Sequence, residues 1–203
     1  MKNPILLLSI IIPMFLLGAC RSSKPVAPTF YVLEFPMERI PDEKPLTLPY
    51  SLEITEIDLH PAFATHQIAI REGQHEIRYF SHHEWAVRPV QSLTRYINDY
   101  FKNIQVFRST DTRYWNIQPD YKILTSVNHL EVLKDGNDYL AHLHVDFRLV
   151  MTEGTVTVVT HSADNTRLLE KRNLNLFAGA INDMFFEELQ FFTRKILYEF
   201  SAE

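Results

Sequence analysis

The chain has 203 residues, 46% of them apolar and 12% aromatic, with a formal net charge of −5. That composition fits one packed domain and excludes a disordered chain, and the mild acidity gives no basis for a nucleic-acid partner. Glycine is scarce, at 5 residues, and neither GxGxxG nor GxxxxGKS/T occurs, so no nucleotide cradle is indicated.

Residues 1–20 read MKNPILLLSIIIPMFLLGAC. One cation, Lys2, precedes an apolar run too short to cross a bilayer comfortably, and the run ends in small residues, as secretory signals do. Leu17-Gly18-Ala19-Cys20 resembles the bacterial lipobox, which implies cleavage after residue 19 and a lipidated Cys20 as the mature N-terminus. Cys20 is the one cysteine of the chain, so an internal disulfide is excluded. Acyl chains contribute about 0.8 kcal/mol per buried methylene, enough for two or three of them to anchor a protein firmly. The next residue is Arg21 and not Asp, which in lipoproteins of this kind implies sorting to the outer membrane. Residues 20–29, polar and proline-bearing, read as a tether.

The domain then occupies residues 30–203. Residues 30–35 and 51–60 read as strands. In the second, Leu52 and Ile54 differ in parity from Ile57 and Leu59, which predicts a bulge near Thr55-Glu56 that keeps all four on one face. Residues 67–71 and 75–80 read as a hairpin closed by Glu72-Gly73-Gln74. His82-His83-Glu84 reads as an exposed loop. Val90, Leu93, Ile97, Tyr100 or Phe101, and Ile104 recur at helical spacing, and Pro89 places the helix start near residues 86–88 because proline is tolerated in a first turn. Residues 105–109 and 121–133 follow as strands, and Lys134-Asp135-Gly136-Asn137 as a turn.

Residues 139–151 alternate most cleanly. Ala141, Leu143, Val145, Phe147 and Leu149 share one face, while His142, His144, Asp146 and Arg148 share the other. Strand continues over 155–160, Asp164-Asn165 reads as a turn, and a last strand is predicted over 166–177. A final helix runs from about 182 to 200, with Ile181, Phe185, Leu189, Phe192 and Ile196 on one face. The expected class is α+β: a single domain with a mostly antiparallel sheet and two main helices on one face.

Few constellations carry chemistry. Trp85, at a strand–helix junction, reads first as a core aromatic and second as an interface anchor. The final helix bears aromatics around more than half its circumference, so Phe186, Phe191 and Tyr198 are candidate interface positions. His142, His144 and Asp146 alternate on one strand face, a spacing met easily by chance, and are read as solvated or partner-facing rather than as metal ligands. No GxSxG or other nucleophile motif is present, so no catalytic residues and no metal are assigned.

Several segments together resemble a known family. They are Tyr31-Val32-Leu33 after the tether, Gln67-Ile68-Ala69-Ile70-Arg71, Ile77-Arg78-Tyr79, and His83-Glu84-Trp85-Ala86 running into Arg88-Pro89 and a helix. The aromatic C-terminal helix completes the pattern. Over about residues 30–200 the chain is similar to the ABC-type transport auxiliary lipoproteins, which include the paraquat-inducible PqiC-type proteins. The resemblance implies a non-enzymatic outer-membrane lipoprotein on the periplasmic face. It implies no cofactor beyond the lipid on Cys20. Its partners would be a mammalian-cell-entry (MCE) domain conduit and, indirectly, an inner-membrane ABC permease and ATPase, with ring-shaped homo-oligomers in some members. Two other readings remain: a structural lipoprotein supporting an outer-membrane complex, and a periplasmic lipid carrier.

Overall fold

The apolar alternation of residues 139–151 organises the fold, because it supplies the strand face on which the C-terminal helix lies, while the first helix rests on other strands of the same sheet. The computed structural model describes residues 26–40 and 45–201. The signal segment, Cys20 and most of the tether lie outside the described residues. The elements are β1 (Thr29–Tyr31), β2 (Leu48–Ile54), β3 (Asp58–Leu59), β4 (Gln67–Glu72), β5 (Ile77–Trp85), α1 (Pro89–Ile104), β6 (Phe107–Asp111), β7 (Tyr121–Asp135), β8 (Asp138–Met151), β9 (Val156–Leu168) and α2 (Leu174–Ser201).

β7 is the central strand. Along one edge it pairs antiparallel with β8 from Tyr121↔Met151 to Asp135↔Asp138, and β8 pairs antiparallel with β9. Gly136, at φ +57°, supplies the left-handed residue that the tight β7–β8 turn requires. Along its other edge β7 pairs in parallel with β2, β3 and β4 in succession. β5 is antiparallel to β4 and carries β1 in parallel, while β6 lies parallel to β2. The class is α+β as expected. The long antiparallel meander dominates a sheet whose other half is parallel except for the β4–β5 pair.

Ala141, Leu143, Val145, Phe147 and Leu149 of β8 are fully buried on the side that α2 covers, and α1 lies against β2, β3 and β6. α1 contributes Leu93, Ile97 and Phe101, and α2 contributes Phe177, Ile181, Phe185, Leu189, Phe192 and Ile196, all at 0% exposure. Phe147 stacks on Phe192 at 5.3 Å between ring centroids, and Tyr96 meets Phe185 edge-on at 5.1 Å, which ties sheet and helices into one core. Tyr96 Oη donates to the Asn182 carbonyl, and Tyr100 Oη lies 3.1 Å from Thr193 Oγ1. Burial pushes the Tyr100 phenol up to about 12.

α1 begins with Pro89 in its first turn and ends at Gln105, which is left-handed at φ 56° and donates its N–H to the Phe101 carbonyl. Leu52, Ile54, Ile57 and Leu59 are all buried, but the parity change is an interruption between β2 and β3 rather than a bulge in one strand. Three expectations are corrected. His82-His83-Glu84 is not a loop: β5 runs through it and pairs with β1. Asp164-Asn165 is not a turn, since both residues pair with β8 within β9. Their polar side chains bond to neighbouring elements, Asp164 to His142 and Asn165 to Glu188, instead of turning the backbone. The last strand ends at Leu168, and residues 174–177 belong to α2. Asn173 Oδ1 accepts the Asn175 N–H at 2.8 Å and so caps this earlier start. Leu174, Phe177 and Ile181 continue the helical period.

Candidate functional site

The two sides of the sheet differ in chemistry because of one irregularity in β7. A bulge lies between Val127 and His129. Before it, Tyr121, Ile123 and Val127 are buried toward the helices; after it, Leu130 and Val132 are. The extra residue inverts the alternation and sends His129 and Glu131 to the helix-free side. There they face β8, with His129 opposite His144 and Glu131 opposite His142.

Glu131 is wholly buried, at 0% exposure. Its Oε1 accepts from Arg71 Nε at 2.8 Å and lies 3.1 Å from His129 Nδ1 and 3.3 Å from His142 Nδ1. Among the described residues its Oε2 has no hydrogen-bond partner. The His129 and His142 rings stack at 4.5 Å, and His142 Nε2 lies 2.8 Å from Asp164 Oδ1 on β9. His144 stands within 4 Å of both Asp146 and Asp164. Phe63, from the turn after β3, packs beside His129 with ring centroids 6.1 Å apart.

The charges settle accordingly. Burial opposes charge on His142, but its bonds to Glu131 and Asp164 outweigh that and raise its pKa. Burial also opposes charge on Glu131, yet hydrogen bonds from His142 and Arg71 outweigh it, and the carboxylate is held below its usual range. His129 is pushed down by burial and then by the neighbouring His142 charge, against the pull of Glu131.

A second surface lies on the helix side. Phe191 and Tyr198 of α2 are exposed, at 48% and 75%, beside Val158 of β9. Arg194 sits over the Phe191 ring at 4.3 Å, and Lys195 Nζ donates to the Thr160 carbonyl. Among the described residues β9 pairs with β8 alone, so its outer edge is open beside this aromatic flank. Between the helices a groove of about 550 Å³ is lined by Ile40, Leu46, Tyr100, Ile104, Phe186 and Leu197.

The interface reading is corrected at two of the sequence-derived positions, and for Trp85 the core reading that came first holds. Trp85 is 2% exposed and packs on Phe177, so it seals the junction between β5 and α2. Phe186 is 5% exposed and rests among Phe35, Tyr100 and Arg39. Phe191 and Tyr198 stand in solvent, and Cys20 lies outside the described residues. His142 is partly buried in an ion-paired cluster rather than solvated; its partners His129 and Glu131 were missed. The signal for them was present in the parity change from Ile123 and Val127 to Leu130 and Val132.

The family described as the ABC-type transport auxiliary lipoprotein component matches residues 31–185. The chain belongs to this family. Among curated proteins none matches the sequence. The auxiliary lipoprotein shares its fold with a Xanthomonas campestris protein assigned to DUF330, at a TM-score of 0.67 and 15% identity, covering 87% of this chain and 96% of that one. A second solved structure, of an uncharacterized protein, gives 0.66 at 11% identity over 84% and 99% of the two chains. A hypothetical protein from Chlamydia trachomatis gives 0.51 at 5% identity over 77% and 100%. At these identities the likeness is one of fold.

Proposed function

We propose that this auxiliary lipoprotein is a non-enzymatic docking subunit of an MCE-type ABC system that moves lipid between the inner and outer membranes. Acyl chains on Cys20 hold it at the periplasmic face of the outer membrane. The family match over residues 31–185 carries this reading. The exposed Phe191 and Tyr198, flanked by the open edge of β9, form the surface that meets the MCE-domain conduit, since aromatic side chains with a nearby arginine suit an interface centre. Strand addition along β9 would supply backbone hydrogen bonds to the same contact. The test is a crosslinked pulldown of the full-length, lipidated protein from its own envelope, read by mass spectrometry. Recovery of an MCE-domain protein is the expected result. Recovery of outer-membrane assembly proteins alone would overturn the transport role in favour of a structural one.

The groove between the helices favours a second reading, a lipid carrier, because its lining, mainly apolar beside Gln190, Thr193 and Arg194, suits an acyl chain. Native mass spectrometry that shows co-purified lipid, released by Leu197→Glu, would support it; a lipid-free spectrum would remove it.

A further inference from the structure

We propose that His129, Glu131 and His142 form a binding site for a zinc-class divalent cation on the helix-free side of the sheet. This departs from the sequence-based expectation of no metal. One ring nitrogen of each histidine and one Glu131 carboxylate oxygen lie within 4.8 Å of one another, the only such cluster among the described residues. Two imidazoles and one carboxylate form a donor set that zinc accepts.

Three observations raise the cluster above a chance grouping. First, the hydrogen bonding of Glu131 is lopsided. Oε1 faces Arg71 and both Nδ1 atoms, while Oε2 is buried without a partner among the described residues. A fully buried carboxylate with an orphaned oxygen is costly, and an ion drawing on both oxygens would relieve it. Second, the outer groups are those that orient metal ligands. Asp164 holds Nε2 of His142 at 2.8 Å, which turns Nδ1 inward, and Arg71 hydrogen-bonds to the would-be ligand Glu131 at 2.8 Å. Third, the ligands come from two adjacent paired strands, and the β7 bulge is what places His129 and Glu131 on the same side as His142. The two rings stack at 4.5 Å with an interplanar angle of 19°, so one ring must turn for both Nδ1 lone pairs to meet an ion. His129 is the ring with freedom to do so, with 34% of its side chain exposed against 13% for His142.

The experiment is calorimetric titration of zinc chloride into the full-length, lipidated, untagged protein in detergent, paired with thermal melts. Wild type takes up one equivalent and melts higher with zinc present. His129→Ala removes a ligand and abolishes the saturable heat. Asp164→Asn weakens binding by about 10–100-fold, as loss of a ligand-orienting carboxylate does, with its own zinc-free melt as the reference because Asp164 also bonds to His142. Asp164→Asn keeps the test valid if His129→Ala disturbs its strand. No saturable heat from wild type overturns the proposal. So does full wild-type affinity in Asp164→Asn together with His129→Ala, which would place the zinc on other histidines.

Discussion

The two faces of the β7–β8 pair are built from alternate residues of the same two strands, yet they obey different physics. Toward the helices, Val145, Phe147 and Leu149 are buried among aromatic and aliphatic side chains, and stability there follows from apolar area and close packing. On the other side, Arg71, Glu131, His129, His142 and Asp164 form a chain of charged and hydrogen-bonded groups around a buried carboxylate. The difference teaches that burial alone does not mark the core of this protein. Glu131 is as inaccessible as Phe147, but one is held by dispersion and the other by partners it cannot lose.

The comparison is broken most severely on the apolar side. Phe147→Ala removes a ring packed between Phe185 and Phe192 and is expected to cost about 3–5 kcal/mol, measured by urea unfolding. On the polar side, Glu131→Leu leaves the Arg71 guanidinium without its carboxylate. The expected loss is about 2–3 kcal/mol, below the full figure for a buried pair because Arg71 keeps some contact with water. The double variant Arg71→Met with Glu131→Leu recovers most of that loss if the cost is a stranded charge, and recovers none if the cost is one of shape.

A smaller effect belongs to the polar staple at the start of β7. Asp120 Oδ2 accepts from both the Ser51 N–H and the Ser51 hydroxyl, and these bonds hold its carboxyl below the usual range. Asp120→Asn is expected to cost about 1 kcal/mol at neutral pH, a modest figure because the residue is exposed. Since the folded pKa is depressed, the carboxylate contributes its full stability above its unfolded value and loses it as pH falls through the folded one. The gap between wild type and Asp120→Asn in acid-titrated melts therefore closes below the ordinary carboxylate range. A gap that stays constant with pH would contradict the assignment. The smallest effect on stability is at the aromatic flank. Phe191→Ser and Tyr198→Ser are expected to stay within about 0.5 kcal/mol of wild type while reducing capture of the conduit.

What the sequence disclosed depended on how regular each segment is. The alternation of residues 139–151 and the helical period from Leu93 to Ile104 could be read directly, because one residue in two or in three to four is apolar without a break. The mixed half of the sheet could not, since parallel pairing of β2, β3 and β4 with β7 joins segments far apart in the chain. Asp164-Asn165 read as a turn because local propensity ignores the partners that Asp164 and Asn165 find on β8 and α2. The polar cluster was half visible. His142 was noted, but its partners depended on a bulge that the same parity argument applied to residues 51–60 would have located. Phe186 read as a surface candidate because composition shows that a helix carries more aromatics than usual, but not how thick the core beneath it is, whereas Trp85, at the end of β5, read first as the core aromatic it is.

Docking of the transport conduit, as proposed, runs through the aromatic flank of α2. Site-specific photocrosslinking in the full-length, lipidated protein tests it most directly, with the probe at Tyr198 on that flank and, separately, at Arg148 on the helix-free face. The account predicts a crosslink to an MCE-domain protein from position 198 and none from position 148. A conduit crosslink from 148 alone would contradict the docking surface, and the absence of any MCE-domain crosslink from either would contradict the function itself.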